Sequence, residues 1–268
     1  MKRGPSFLAA VILALGAAMF GSASCSQPPI QCVAGHGPFI AKYTLVEGTG
    51  TCADLVGEEI GVATFLAPNA DGTGADYDAR SIAVQSDTFG GLVQEREGLG
   101  AGEDDLPYAL GAYTTNPDER DLCFAGGAAG TAALAPAELD LPEAEVMDSM
   151  GNPITLPARR LRQTWEDLSL YVTAAAPGTQ MVGTMTYEDL IEGCSATYTF
   201  VALFPAVPCA KAGPDGEPTN EPDDALCDPE GNAAEGRTPS GINPDYRVKC
   251  DPTLLYCVLD EPPRAAPR

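Results

Sequence analysis

"LSLYVTAAAPGTQMVGTMTYE" (168–188) and, after a short break, "CSATYTFVALF" (194–204) decide the fold class. Leu168, Leu170 and Val172 alternate with Ser169, Tyr171 and Thr173. Strand side chains point to opposite faces in turn, so this alternation marks a half-buried strand. "APGT" (176–179) is a turn signal, with Pro177-Gly178 at its centre as a type II turn prefers. The chain returns with Met181, Met185 and Tyr187 on one side, and breaks at 189–193. Cys194, Ala196, Tyr198, Phe200, Ala202 and Phe204 then share one face. Three such strands in succession form an antiparallel meander.

The same period recurs upstream. "FIAKYTLVE" (39–47) sets Phe39, Ala41, Tyr43 and Leu45 on one face, and "IGVATFLA" (60–67) is apolar on both, as a fully buried strand would be. "SIAVQS" (81–86) and "YALGAYT" (108–114) are shorter strand candidates. Clusters such as "PNADGTGADYD" (68–78) separate them, and 29 Gly with 24 Pro argue for many turns and few long helices. Between 131 and 147 the chain is rich in Ala, Leu and Glu, but Pro136 and Pro142 limit it to a short helical turn. The pattern predicts a mainly β fold, an antiparallel β-sandwich or barrel over residues 36–208.

After Pro205 the character changes. Residues 209–268 form a Pro/Gly/Asp-rich, disulfide-bearing C-terminal extension, with four Cys and little apolar sequence. "PDGEPTNEPDDALCDPEGNAAEG" (214–236) offers too little apolar surface to offset the entropy of ordering it. The extension therefore either packs on the main domain or stays partly disordered, with disulfides supplying what a core does not. Asp251-Pro252 is a turn signal between two strand-like stretches, "DYRVKC" and "LLYCVL", so a hairpin closed by Cys250–Cys257 is expected. The remaining connectivity stays open.

The opening residues set the compartment. Lys2 and Arg3, the apolar run 7–20 and the small residues 21–24 make a secretory signal peptide, residues 1–24. The apolar run falls short of the ~20 residues a spanning helix needs. Cleavage can follow Ala23 or Ser24 in the ordinary way, or precede a lipid-bearing Cys25. Nine cysteines leave one unpaired in an exported chain. Assigning Cys25 to lipid leaves Cys32, Cys52, Cys123, Cys194, Cys209, Cys227, Cys250 and Cys257 for four bridges. Cys25 is thus the predicted lipidation site, and residues 25–35, which include Pro28-Pro29, a flexible tether.

The net charge of −23 argues against nucleic acid and against anionic headgroups, both of which call for Lys and Arg. His36 is the single histidine and the only possible imidazole base, but it sits in a Gly-flanked loop of a chain that has no G-x-S-x-G. No C-x-x-C, P-loop or dinucleotide fingerprint occurs, so no catalytic residue is assigned. Among 38 acids some carboxylates will face one another without any specific spacing, which leaves a secreted carboxylate-dependent hydrolase as the alternative function. Asn69, Asp71, Asp76 and Asp78 offer oxygen ligands within one loop. Gly72 directly after Asp71 departs from the EF-hand pattern, so Asp71, Asp76 and Asp78 are either calcium candidates or a solvated turn. No other metal or cofactor is expected. Arg159, Arg160 and Arg162 are the one basic cluster, read as a solvated strand face or an anion site.

The segment "ASC" (23–25), "SQPP" (26–29), "HGPFIAKYTLVEG" (36–48) and "GTMTYEDLIEGCSATYTFVALFP" (183–205) resemble envelope lipoproteins encoded in multiple copies by some Gram-negative bacteria. Ala23, Ser24 and Cys25 match a lipobox, whereas Ser22 stands where Leu is usual. The resemblance implies a cell-envelope address, outer-membrane anchored since Ser26 rather than Asp follows the Cys, or otherwise periplasmic or secreted. It implies no activity and no catalytic residue. The expectation is a non-catalytic cell-envelope lipoprotein, a binding or structural module held to the membrane through its lipid. Its partner would be a protein, a glycan or a small apolar ligand, and not nucleic acid.

Overall fold

The computed structural model describes residues 30–96, 105–147 and 150–266. Cys25 and the signal peptide lie outside them, as does most of "LGAGEDD" (99–105). In chain order the barrel region holds β1 (Gly37–Gly48), β2 (Gly57–Pro68), β3 (Ala75–Ser86), helix α1 (Asp87–Glu95), β4 (Ala109–Tyr113), β5 (Leu122–Ala125), β6 (Ala137–Leu141), β7 (Ala144–Met147), β8 (Pro153–Leu156), β9 (Arg159–Val172), β10 (Pro177–Asp189) and β11 (Cys194–Leu203). The extension adds β12 (Ala210–Ala212), β13 (Pro218–Pro222), β14 (Val248–Cys250) and β15 (Cys257–Leu259).

The expected meander is present as β9, β10 and β11. It belongs to a sheet that runs β10-β11-β1-β2-β3-β4-β5-β9 and closes because β9 also pairs with β10, so the architecture is an antiparallel barrel and not a sandwich. β6 joins β9 at Arg159–Gln163, the half that β5 does not reach. Small barrels of this kind are filled by their own side chains. Here Phe39, Tyr43, Trp165, Met181, Met185, Tyr198 and Phe200 occupy the interior, all buried. Trp165 meets Phe200 edge-on at 5.2 Å, and Tyr43 lies 5.5 Å from Tyr198.

Three local expectations are corrected. Residues 137–141 and 144–147 are strands, because Ala137, Leu139 and Leu141 alternate inward against β9 once Pro136 and Pro142 bar a helix. The chain reverses at 173–176, where the Thr173 amide bonds the Ala176 carbonyl at 3.0 Å. Pro177-Gly178 forms a bulge instead, the register stepping from Pro177↔Val172 to Gln180↔Tyr171. β2 is buried only at Ile60 and Val62, and Phe65 and Leu66 are exposed.

Residues before β1 cross one end of the barrel. The Cys32 amide bonds the Thr115 carbonyl at 2.9 Å, the Tyr113 hydroxyl reaches the Val33 carbonyl, and the Gly35 amide bonds Gly178 at 2.9 Å. The Arg80 guanidinium holds the Cys32 carbonyl at 2.7 Å and the Gln31 side chain. Gly178 has φ +68°, and a Cβ there would sit 2.0 Å from the Val33 carbonyl oxygen, so only glycine allows this crossing. Cys32–Cys123 staples the crossing segment to β5, and Cys52–Cys194 ties the β1–β2 connection to the start of β11.

The extension is ordered and packs on the outer wall of β1 and β11. Its cluster of Cys209, Cys227, Ile242, Tyr246, Cys250 and Cys257 closes over the outward-facing Ile40 and Leu203. Polar contacts reinforce it: the Lys42 ammonium pairs with Asp251 at 2.6 Å, and the Tyr256 hydroxyl donates to Glu59. The bridges are Cys209–Cys250 and Cys227–Cys257, which overturns the expected Cys250–Cys257 bond. The hairpin itself exists, with Cys250 opposite Cys257. Its ladder already closes the short loop, so linking both cysteines outward constrains segments that have no ladder, at separations of 41 and 30 residues.

Candidate functional site

β2, β3 and β4 each send alternate residues away from the lumen. Ile60, Val62, Ile82, Val84 and Ala109 face inward and are buried. The positions between them line an open groove of about 630 Å³ on the outer wall. Register pairs Phe65 with Ser81, Ala63 with Ala83 and Ala83 with Leu110, so small residues make the floor. Phe65, Tyr108 and Leu110 make the walls, 53%, 37% and 39% exposed respectively. Among the described residues, no Asp, Glu, Lys, Arg or His lines the groove; its polar groups are Ser81, Gln85 and the Tyr108 phenol. Such a surface can hold an apolar partner and supplies no acid or base for hydrolysis.

Position within the fold adds to this. The groove's Ser81 end adjoins Arg80, the residue that grips Gln31 and Cys32. Arg80 itself alternates to the lumen side with Ile82 and Val84, so that grip lies at the barrel end and not in the groove. The signal in the sequence was the double-faced apolarity of "IGVATFLA" (60–67), which suits an exposed groove as well as a buried strand.

The other singled-out residues behave as structure. Asp71 Oδ1 accepts from the Thr73 amide and hydroxyl, which holds its carboxyl below the usual carboxylate range. Asp76 accepts from the Asp78 amide at 2.9 Å, and Asn69 from the Thr73 and Gly74 amides. Asp71, Asp76 and Asp78 are thus not drawn into one cluster; among the described residues, Cys209, Cys227 and Cys257 are the grouped metal-ligand types, and all three sulfurs are in disulfides. His36 is exposed at the entry to β1.

Arg160 and Arg162 lie on a solvated strand face, and Arg159 alternates to the side of buried Leu161. Arg159 pairs with Asp189, Arg160 with Asp140, and Arg162 with Glu138 and Glu188. A second depression, lined by Arg120, Tyr171 and Arg264, has its cations engaged. Arg120 pairs with Asp118 at 3.1 Å, and Arg264 donates to the Asp245 carbonyl and stacks on Tyr171 and Tyr246.

Inside the barrel, Tyr43 donates to Glu58 at 2.9 Å. Burial first and the Glu58 charge second push its hydroxyl well above the usual phenol range. The other Glu58 oxygen takes the Thr88 amide and hydroxyl at the start of α1, where a carboxylate complements the helix dipole. That network seats the helix.

Comparison with known proteins supplies two matches. The MlpA family model matches residues 37–205, the barrel. A chain from Myxococcus xanthus named "Putative lipoprotein MlpA" is 26% identical over 264 residues, covering 93% of each chain. No solved structure matches. Among the described residues, no helix is long and apolar enough to cross a membrane.

Proposed function

The chain belongs to the MlpA family, and from that premise we propose that it is a non-catalytic lipoprotein of the cell envelope. Its lipid sits on Cys25, and the groove on β2, β3 and β4 is its binding surface. The name of the Myxococcus relative supports the anchor, as do the n-region, the apolar run and the Ala23-Ser24-Cys25 sequence. Stable anchoring needs at least two lipid chains, which a diacylglyceryl group supplies. The outer membrane is the proposed site, given Ser26.

The open apolar groove on a barrel whose interior is already filled carries the binding role. A lumenal ligand would compete with Trp165, Phe200 and Met185; one on the outer wall competes with solvent. The hydrolase alternative gains nothing here. A general acid is raised in pKa, whereas among the described residues the displaced carboxyls Asp71, Asp118, Asp251 and Asp260 all move down.

Two measurements test the proposal. Intact mass of the chain exported by a lipoprotein-competent bacterium should show a start at Cys25, an added lipid and no free thiol; a Cys25→Ala variant should be released from the membrane. An environment-sensitive apolar fluorophore should bind the purified domain, and Ala83→Trp, which fills the groove floor, should block it. An unlipidated start at Ser24 or Cys25 removes the anchor. Fluorophore binding that Ala83→Trp leaves unchanged removes the groove.

A further inference from the structure

A closed barrel has no strand edges, yet this one carries a free edge on β2. β1 pairs with β2 only from Lys42↔Gly57 to Gly37↔Val62. Upstream of Gly37 the chain turns across the barrel end to Gly178 and does not continue along β2. β2 runs on to Pro68, paired with β3 on its other side. Residues 63–68, "ATFLAP", thus project with one edge of backbone N–H and C=O groups that bonds nothing among the described residues. The segment bears no charge, and Phe65 and Leu66 are exposed. Natural sheets ordinarily blunt such an edge with Lys, Pro, a bulge or a covering loop; here Pro68 does so only at the far end, past Thr64 and Leu66. The irregularity here, Leu66↔Arg80 to Ala67↔Asp76, puts its extra residues on β3 and leaves the β2 edge straight.

We propose that this edge is a strand-addition site, taking an extended polypeptide segment with apolar residues at alternate positions and cationic residues at its N-terminal end. The proposal rests on the β2–β4 wall being the binding surface. Unpaired amides and carbonyls call for a backbone, which an acyl chain or a glycan does not offer in ladder form. An antiparallel partner lies on the line of β1, so it begins beside Pro68 and ends beside Ala63. Its outward side chains then fall next to Ala63 and Phe65 and extend the groove. Its N-terminal end meets the β2–β3 turn, which carries Asp71, with Asp76 and Asp78 following at the start of β3. The acidic turn and the net charge of −23 select a basic partner and disfavour a second copy of this chain.

The test uses the exported domain with its four disulfides and a synthetic peptide of sequence Lys-Lys-Val-Thr-Val-Thr-Val. Addition of the peptide should slow hydrogen exchange of the Thr64 and Leu66 amides, the two that face the open edge, at least tenfold. A peptide with alternate backbone nitrogens methylated should bind at least tenfold more weakly, and so should one with Glu in place of Lys. Phe65→Ser, an exposed change that spares the core, should weaken binding about fivefold. Absence of protection at millimolar peptide, or equal binding of the methylated peptide, overturns strand addition. Protection of Thr64 and Leu66 that depends on protein concentration without peptide assigns the edge to a second copy and overturns the basic partner. If the fluorophore still binds while Thr64 and Leu66 stay unprotected, strand addition falls and the groove stands; if both signals are absent, both fall.

Discussion

The barrel and the extension solve the same problem by different means. In the barrel each strand of the closed sheet pairs on both sides for at least part of its length, and a buried set from Phe39 to Ala202 fills the interior. The extension has four strands of three to five residues, and its buried cluster is built around its own cystines. One region is held by packing and ladder, the other by covalent links laid over a borrowed wall. Stability should therefore be lost globally in the first case and locally in the second.

The largest effect is expected at Trp165, which is 1% exposed and the only tryptophan in the chain. Trp165→Ala leaves a cavity against Phe200 and should cost about 3–5 kcal/mol. Denaturant unfolding followed by far-UV circular dichroism should show the whole molecule shifting. A loss below about 1 kcal/mol would mean that the interior collapses around the gap and that packing is not what holds the barrel.

Next comes the double change Cys227→Ser with Cys257→Ser. A bridge across 30 residues contributes about 2–4 kcal/mol in the chain-entropy description. The loss should be confined to the extension. Amides at 206–266 should lose exchange protection while Trp165 fluorescence keeps its native value. Simultaneous loss of both signals would make the two regions one cooperative unit and erase the distinction.

The comparison also explains what the sequence makes legible. Alternation identified β1, β9, β10 and β11 because each turns one apolar face into the lumen and a more mixed face outward, and that two-sidedness is written in the residues. It missed β6 and β7, whose Ala-Glu-Leu composition carries no β preference and whose strand state is imposed by pairing with β9 and β8. The eight disulfide cysteines could be named but not paired. Cys250 and Cys257 are neighbours in register, while their bonds run to Cys209 and Cys227, which only the packed cluster brings near. The groove was hidden for a related reason: Phe65 reads as core until it is known that β1 stops at Gly37.

The seam between the regions gives a smaller effect with a definite pH sign. Burial pushes the Asp251 carboxyl up, but the Lys42 ammonium and the Thr253 and Leu254 amides outweigh it, so its pKa lies below the usual carboxylate range. A depressed pKa contributes stability above the unfolded value, lost as pH falls through the folded one. Asp251→Asn should cost about 1 kcal/mol near neutrality, since Lys42 is about half exposed and the pair is partly screened. The variant should also flatten the stability profile below about pH 4 relative to the parent. An unchanged acid limb would move the acid-sensitive contact elsewhere.

The smallest effect belongs to the arginine face of β9. Arg160 and Asp140 are 61% and 72% exposed and 3.5 Å apart, so solvent and salt screen the pair. Arg160→Gln should change stability by no more than about 0.5 kcal/mol, and added salt should leave the difference flat. A phosphate titration monitored at the Arg159, Arg160 and Arg162 side chains by NMR separates the two roles of the cluster. Each guanidinium already has a carboxylate partner, so an incoming anion must displace Asp189, Asp140, Glu138 or Glu188 rather than meet free cations. Shifts confined to general ionic-strength effects fit the solvated face. Saturable shifts at submillimolar phosphate, lost in Arg160→Gln, would make that face an anion site despite its paired charges.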